Sequence, residues 1–185
     1  MSAGLPAAAA EATSVHCQPC PGATLAFVFI CPGRFEAARG YPCAAGTGAN
    51  LARALAELHR RAPAWFVAPS REAYVVTNAW AQVEYPALTG RSVPTEGEVL
   101  QPANLARLAG EIAGVDRVVA CGAQAHAAMR RLAAGRPGLA VAYARHLSQR
   151  SVNMVPGGSN TEERIARWVD AVLAQWAEPG AAQPR

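Results

Sequence analysis

The chain has 185 residues, 51% of them hydrophobic and 16% charged, which fits one domain with a sizeable core and excludes global disorder. The net charge of +4 comes wholly from Arg, since the sequence contains no Lys, and it leans towards a polyanionic partner. No apolar run approaches the roughly 20 residues needed to span a bilayer, so a membrane protein is not expected.

Residues 1–24 are rich in Ala, Pro and Gly and read as a flexible arm. They lack the basic start and apolar centre of a signal peptide. The five cysteines are an odd number in a chain without a secretion signal, which points to a reduced, cytoplasmic protein. LAFVFI (25–30) is a continuous apolar run and predicts a buried parallel strand. Residues 31–47 then form a loop opened by Pro32–Gly33. The next segment, 48–62, repeats Leu51, Leu55 and Leu58 at helical spacing.

AYVVTNAW (73–80) predicts a second strand, and 81–101 is rich in turn residues. PANLARLAGEIAG (102–114) predicts a helix with Pro near its start and Gly at its end. DRVVACG (116–122) predicts a strand, 123–135 a helix and LAVAYA (139–144) a fourth strand. RHLSQRSVN follows as a loop, and 160–177 predicts the closing helix, capped near Asn160 or Thr161. The alternation predicts one α/β domain over 25–178 with a short tail at 179–185. The expected architecture is a three-layer α/β/α sandwich around a mainly parallel four-stranded sheet. Such a sheet gathers the ends of its strands at one edge, where ligands bind. Three of those ends carry polar text: CPGR, TNAW and RHLSQR.

In that order these segments resemble the uracil-DNA glycosylase superfamily. From Pro32 to Leu51 the loop reads P-G-x-x-E-x-x-x-G-x-P-x-x-x-G-x-G-x-x-L, most similar to the iron–sulfur type called family 4. VVTNAW resembles the strand that ends in a base-reading Asn. VVACGAQAHAAM resembles the third strand and its helix, and RHLSQRS resembles the His motif with its DNA-inserting loop. The likeness covers about residues 25–155. It departs at Ile30 and Cys31, where relatives carry a carboxylate or amide that positions water. It departs again after Asn78, where the second cysteine pair of a four-thiolate cluster is missing, so no cofactor and no metal are expected.

The resemblance implies catalysis by His146, Asn78 and Glu36. His146 would stabilise the departing base, as a positioned donor does for a developing anion. Asn78 would read the base with its amide, which offers both a donor and an acceptor. Glu36 is the only carboxylate expected near the Pro32–Gly33 turn, and its structural alternative is to hold the loop by accepting backbone N–H bonds. Ile30, Cys31, Pro32, Gly33, Tyr41, Cys43 and Asn78 would surround the extruded base. Gly46, Gly48 and Asn50 would bring a helix start to a phosphate. Arg145, Ser148, Gln149 and Arg150 would contact DNA or fill the gap left by the base.

His16, His59 and His126 read as structural or exposed, and Trp168 and Trp176 as core. Cys17 and Cys20 alone do not make a metal site. The expected activity is that of a monomeric DNA glycosylase in base excision repair, acting on uracil or another deaminated or modified base. The alternatives are a non-hydrolytic DNA-binding member of the same fold and a free-nucleotide-binding enzyme.

Overall fold

The computed structural model describes residues 12–176. The four predicted strands are present as β2 (Leu25–Phe29), β3 (Val75–Asn78), β4 (Arg117–Cys121) and β5 (Ala140–Ala144), mutually parallel in the order β3-β2-β4-β5. The expected four-stranded sheet is corrected to five strands among the described residues. β1 (Cys17–Gln18) lies antiparallel on the outer side of β3, with Cys17 opposite Thr77, and makes the sheet mixed. Of the arm expected over 1–24, residues 1–11 lie outside the described residues, while Cys17 is buried in the sheet. Residues 177–185 likewise lie outside the described residues.

Eight α-helices occur among the described residues. The predicted ones are α2 (Gly46–Arg61), α5 (Pro102–Glu111), α6 (Ala123–Ala134) and α8 (Thr161–Trp176). Four shorter ones interrupt segments expected as loops: α1 (Arg34–Arg39), α3 (Pro86–Thr89), α4 (Glu96–Val99) and α7 (Gln149–Asn153).

β2 is buried along its whole length, so its side chains divide by the two-residue period of a strand. Leu25, Phe27 and Phe29 join Leu51, Leu55 and Leu58 of α2 and Ile165, Trp168 and Val172 of α8 in one cluster. Ala26 and Val28 join Val99, Leu108 and Met129 of α4, α5 and α6 in the other. Helices therefore cover both faces of the sheet. Trp168, expected in the core, is 2% exposed, and its indole N–H donates to the Arg145 carbonyl at 2.8 Å, tying α8 to the loop after β5. At the outer edge of β5, the Gln175 side-chain amide bonds both Tyr143 backbone groups, accepting at 2.8 Å and donating at 3.1 Å. No helix among the described residues is long and apolar enough to cross a membrane.

Candidate functional site

The chain leaves β2 at Phe29 and turns at Pro32–Gly33, which is held from two sides. Backbone N–H groups beyond β3 donate to its carbonyls: Ala79 to Phe29 at 2.8 Å, Trp80 to Ile30 at 2.9 Å and Glu84 to Pro32 at 2.9 Å. From α1, Glu36 accepts the Gly33 N–H at one carboxylate oxygen and the Ala44 N–H at the other, both at 3.0 Å. With both oxygens on loop amides, Glu36 acts as a clamp, the structural alternative given above. Glu36→Ala is expected to lower stability by about 2 kcal/mol, the worth of charge-assisted bonds on a half-exposed residue, read as a shifted denaturant midpoint.

Cys31 follows Ile30 in this turn, with its thiol 3.6 Å from the Ser92 carbonyl. Burial pushes its pKa up to about 12, helped by the charges of Glu84 and Glu36 and opposed by Arg91. The thiol is therefore protonated at neutral pH. Glu84 is a second carboxylate near the turn, one that sequence reasoning overlooked. It is 4% exposed and locked by Arg91 at 2.6 and 3.0 Å and by the Trp80 indole at 3.2 Å. Hydrogen bonding from Arg91 is the main reason its pKa lies below the usual carboxylate range.

Asn78 ends β3 and is 2% exposed. Its Nδ2 donates to the His16 carbonyl at 3.1 Å, which leaves Oδ1 and one N–H for another partner. Arg107 of α5 fixes the same strand end by donating to the Asn78 and Ala79 carbonyls at 3.0 and 3.2 Å. It also pairs with Glu111, which in turn bonds Thr77 and His16. His16 is thus structural, as expected. His59 and His126 are structural too, each bonded to backbone carbonyls.

Phe29 joins the two halves of the site. It stands opposite Asn78 in the parallel register, and its ring meets the His146 imidazole edge-on with centroids 5.5 Å apart. Asn78 and His146 therefore share one edge of the sheet. Gly122, after β4, lies between Ile30 and His146. A β-carbon there would come 2.7 Å from Ile30 Cδ1 and 3.5 Å from His146 Cβ, and its φ of +100° already favours glycine.

His146 itself is half-buried. The Ser148 backbone N–H donates to its Nδ1 at 3.0 Å. A nitrogen that accepts cannot carry the proton, so in the neutral ring the proton sits on Nε2. Burial lowers the pKa to about 4, against an upward pull from the Glu36 charge. At neutral pH the ring is an uncharged Nε2–H donor.

The Gly-rich helix start is organised differently from the expected phosphate cradle. A β-carbon on Gly48 would lie far inside contact of the Cys43 carbonyl oxygen and 3.1 Å from its carbon, so Gly48 serves a close approach of α2 to the loop. Cys43 is buried, with φ of +53°, and its carbonyl accepts from Arg71 at 3.1 Å. Tyr41 is 38% exposed, with the Arg71 guanidinium over its ring at 5.5 Å. Gly46 meets nothing within 4 Å. Asn50 is 1% exposed and faces the interior, donating to the Leu147 carbonyl at 2.9 Å and to Gln149 Oε1 at 3.3 Å. Gln149 is also bonded to Asn153 and Thr161. Ser148 caps α7. Of the expected DNA contacts, Gly46, Arg145, Gln149 and Arg150 stand exposed, and Arg145 and Arg150 are the cationic ones.

Cys20 donates its thiol to the Glu72 carbonyl at 3.3 Å. Among the described residues no group of three or more His, Cys, Asp or Glu side chains is placed to hold a metal ion. Compared with known proteins, the chain matches no family model and no curated protein at a significant level.

Proposed function

We propose that the protein is a DNA N-glycosylase on a three-layer α/β/α scaffold, cleaving the N-glycosidic bond of uracil or another deaminated or modified base. The observation that carries this reading is His146: a neutral imidazole with its proton directed to Nε2, on the sheet edge shared with Asn78 and the Pro32–Gly33 turn. Bond cleavage sends the C1′–N electron pair onto the base. The Nε2–H bond to a base oxygen then strengthens as that charge grows, which is the differential binding catalysis requires. Asn78 offers Oδ1 and one N–H to the base edge. Water adds its oxygen to the sugar cation at C1′ and releases a proton to solvent. Arg145 and Arg150 would meet the phosphates.

A second reading is favoured by the turn itself. Cys31 is a protonated thiol, and Glu36 and Glu84 are both engaged, so the turn offers no carboxylate to activate water. On this reading the protein binds DNA without hydrolysis.

Single-turnover assays on oligonucleotides carrying uracil, hypoxanthine, xanthine and modified cytosines, followed by alkali, separate the two. The glycosylase reading expects strand breaks with at least one base, and Asn78→Ala is expected to blunt discrimination between bases as well as rate. Salt-sensitive duplex binding without base release by the wild type, together with a gain of release by Cys31→Asp, would establish the second reading. Absence of both binding and release would remove both.

A further inference from the structure

We infer that Asn50 is a positioning residue: by holding the Leu147–Ser148 peptide plane, it fixes which ring nitrogen of His146 carries the proton. The inference rests on the glycosylase reading for its catalytic consequence, but the tautomer is a property of the folded protein and is measured without any substrate.

The geometry runs through a single peptide unit. Its carbonyl, on Leu147, accepts from Asn50 Nδ2 at 2.9 Å. Its N–H, on Ser148, donates to His146 Nδ1 at 3.0 Å. A trans peptide is planar and its C=O and N–H point in opposite directions, so turning the plane enough to lose one bond swings the other out of line. The amide of Asn50 and the ring of His146 thus sit on opposite edges of one rigid plate.

The amide of Asn50 is itself oriented. Arg53 donates to its Oδ1 at 3.1 Å, which forces Nδ2 towards Leu147, and Gln149 Oε1 takes the other N–H at 3.3 Å. Asn50 lies among Leu51, Ala54 and Leu55 on the buried face of α2. An apolar residue is what that face would ordinarily carry, yet an apolar residue would leave the Leu147 carbonyl without its donor. Phe29 meets the ring edge-on, Gly122 lies close to the His146 β-carbon, and the Glu36 charge acts from α1. None of these names a tautomer as the Ser148 N–H does.

The test is nitrogen NMR on protein with 15N-labelled histidine. The chain has four His residues, and His146→Gln assigns the resonance. In the wild type near pH 7, Nδ1 is expected in the unprotonated, pyridine-type range and Nε2 in the protonated, pyrrole-type range. The opposite tautomer, or an even mixture, would overturn the inference without any variant. Asn50→Asp keeps the shape but presents an acceptor to the Leu147 carbonyl. It is expected to release the plane and move both ring nitrogens towards a mixture. Gln149→Ala removes the outer partner only, and the tautomer should not change.

Wild-type shifts in Asn50→Asp, or an equal disturbance in Gln149→Ala, would count against the role. Ser148→Pro covers the case in which Asn50→Asp does not fold. The φ of −62° at Ser148 suits proline, and the substitution deletes the N–H that faces Nδ1. It should free the tautomer, and retention of the wild-type pattern would overturn the inference. Where base release is detectable, Asn50→Asp should lower the single-turnover rate by roughly a hundredfold through misplacement of the donor, with duplex affinity unchanged. If no protein releases base, the glycosylase reading fails while the tautomer result stands.

Discussion

His146→Ala is expected to lower single-turnover base release by roughly a hundredfold or more, the usual effect of deleting a donor to a developing anion. The ring is placed for that role by burial beside Phe29 and by the Ser148 N–H on Nδ1. Glu36→Gln should do much less, because the Glu36 carboxylate clamps the loop instead of facing the reaction. Equal losses in the two variants would point to loop order and away from His146.

The same ring gives a stability signature. Its folded pKa is about 4, while the ordinary value expected in the unfolded chain is 6.5. Between those values the unfolded chain binds the extra proton, so acidification favours unfolding. The penalty is absent above pH 6.5, grows as the pH falls and is complete below about pH 4. Its full size is about 3 kcal/mol from a shift of that width. Denaturant melts of the wild type and His146→Gln should diverge through this window. Parallel curves would mean that the ring is not buried neutral.

Gly48→Ala should be among the most damaging single-methyl substitutions in the chain, destabilising by about 3 kcal/mol or more. The new carbon would collide with the Cys43 carbonyl, which is itself held in place. Arg71 holds it at 3.1 Å and also grips the Pro42 carbonyl at 2.6 Å. Cys43 already occupies the left-handed region, at φ of +53°, where a side chain is unfavourable by about 1 kcal/mol. Gly46→Ala is the control. Nothing lies within 4 Å of that position, so a change within about 0.5 kcal/mol is expected. Calorimetry of the pair decides the matter: a mild Gly48→Ala would show that α2 and the loop are not locked together.

The sheet was legible because β2 is an unbroken apolar run buried on both faces, while β3, β4 and β5 each carry adjacent apolar residues between turn signals, although β5 is only partly buried. β1 gave no such signal: it has two residues, and its partner lies 60 positions along, Cys17 against Thr77. The short helices were hidden because helical periodicity needs a buried stripe. α1 buries no residue and stands on the Glu36 clamp. α4 did carry a readable sign, Thr95 and Glu98 three apart, which form a capping box.

The common edge of Asn78 and His146 followed from parallel topology alone. The roles of Asn50 and Gly48 did not. Asn50 looked like part of a phosphate loop, and its actual contact lies 97 residues away. Glu84 had no motif to mark it, since its importance comes from Arg91 and Trp80 closing over it.

The amide of Gln175 on Tyr143 has a consequence for how copies of this molecule meet. An open sheet edge invites a strand from another molecule, and that is a route to runaway assembly. Here one margin ends in the two-residue β1, and the other has its backbone groups at Tyr143 already taken by a side chain from α8. A foreign strand laid along β5 would first have to evict Gln175, so a single glutamine on the last described helix stands guard against intermolecular β-addition.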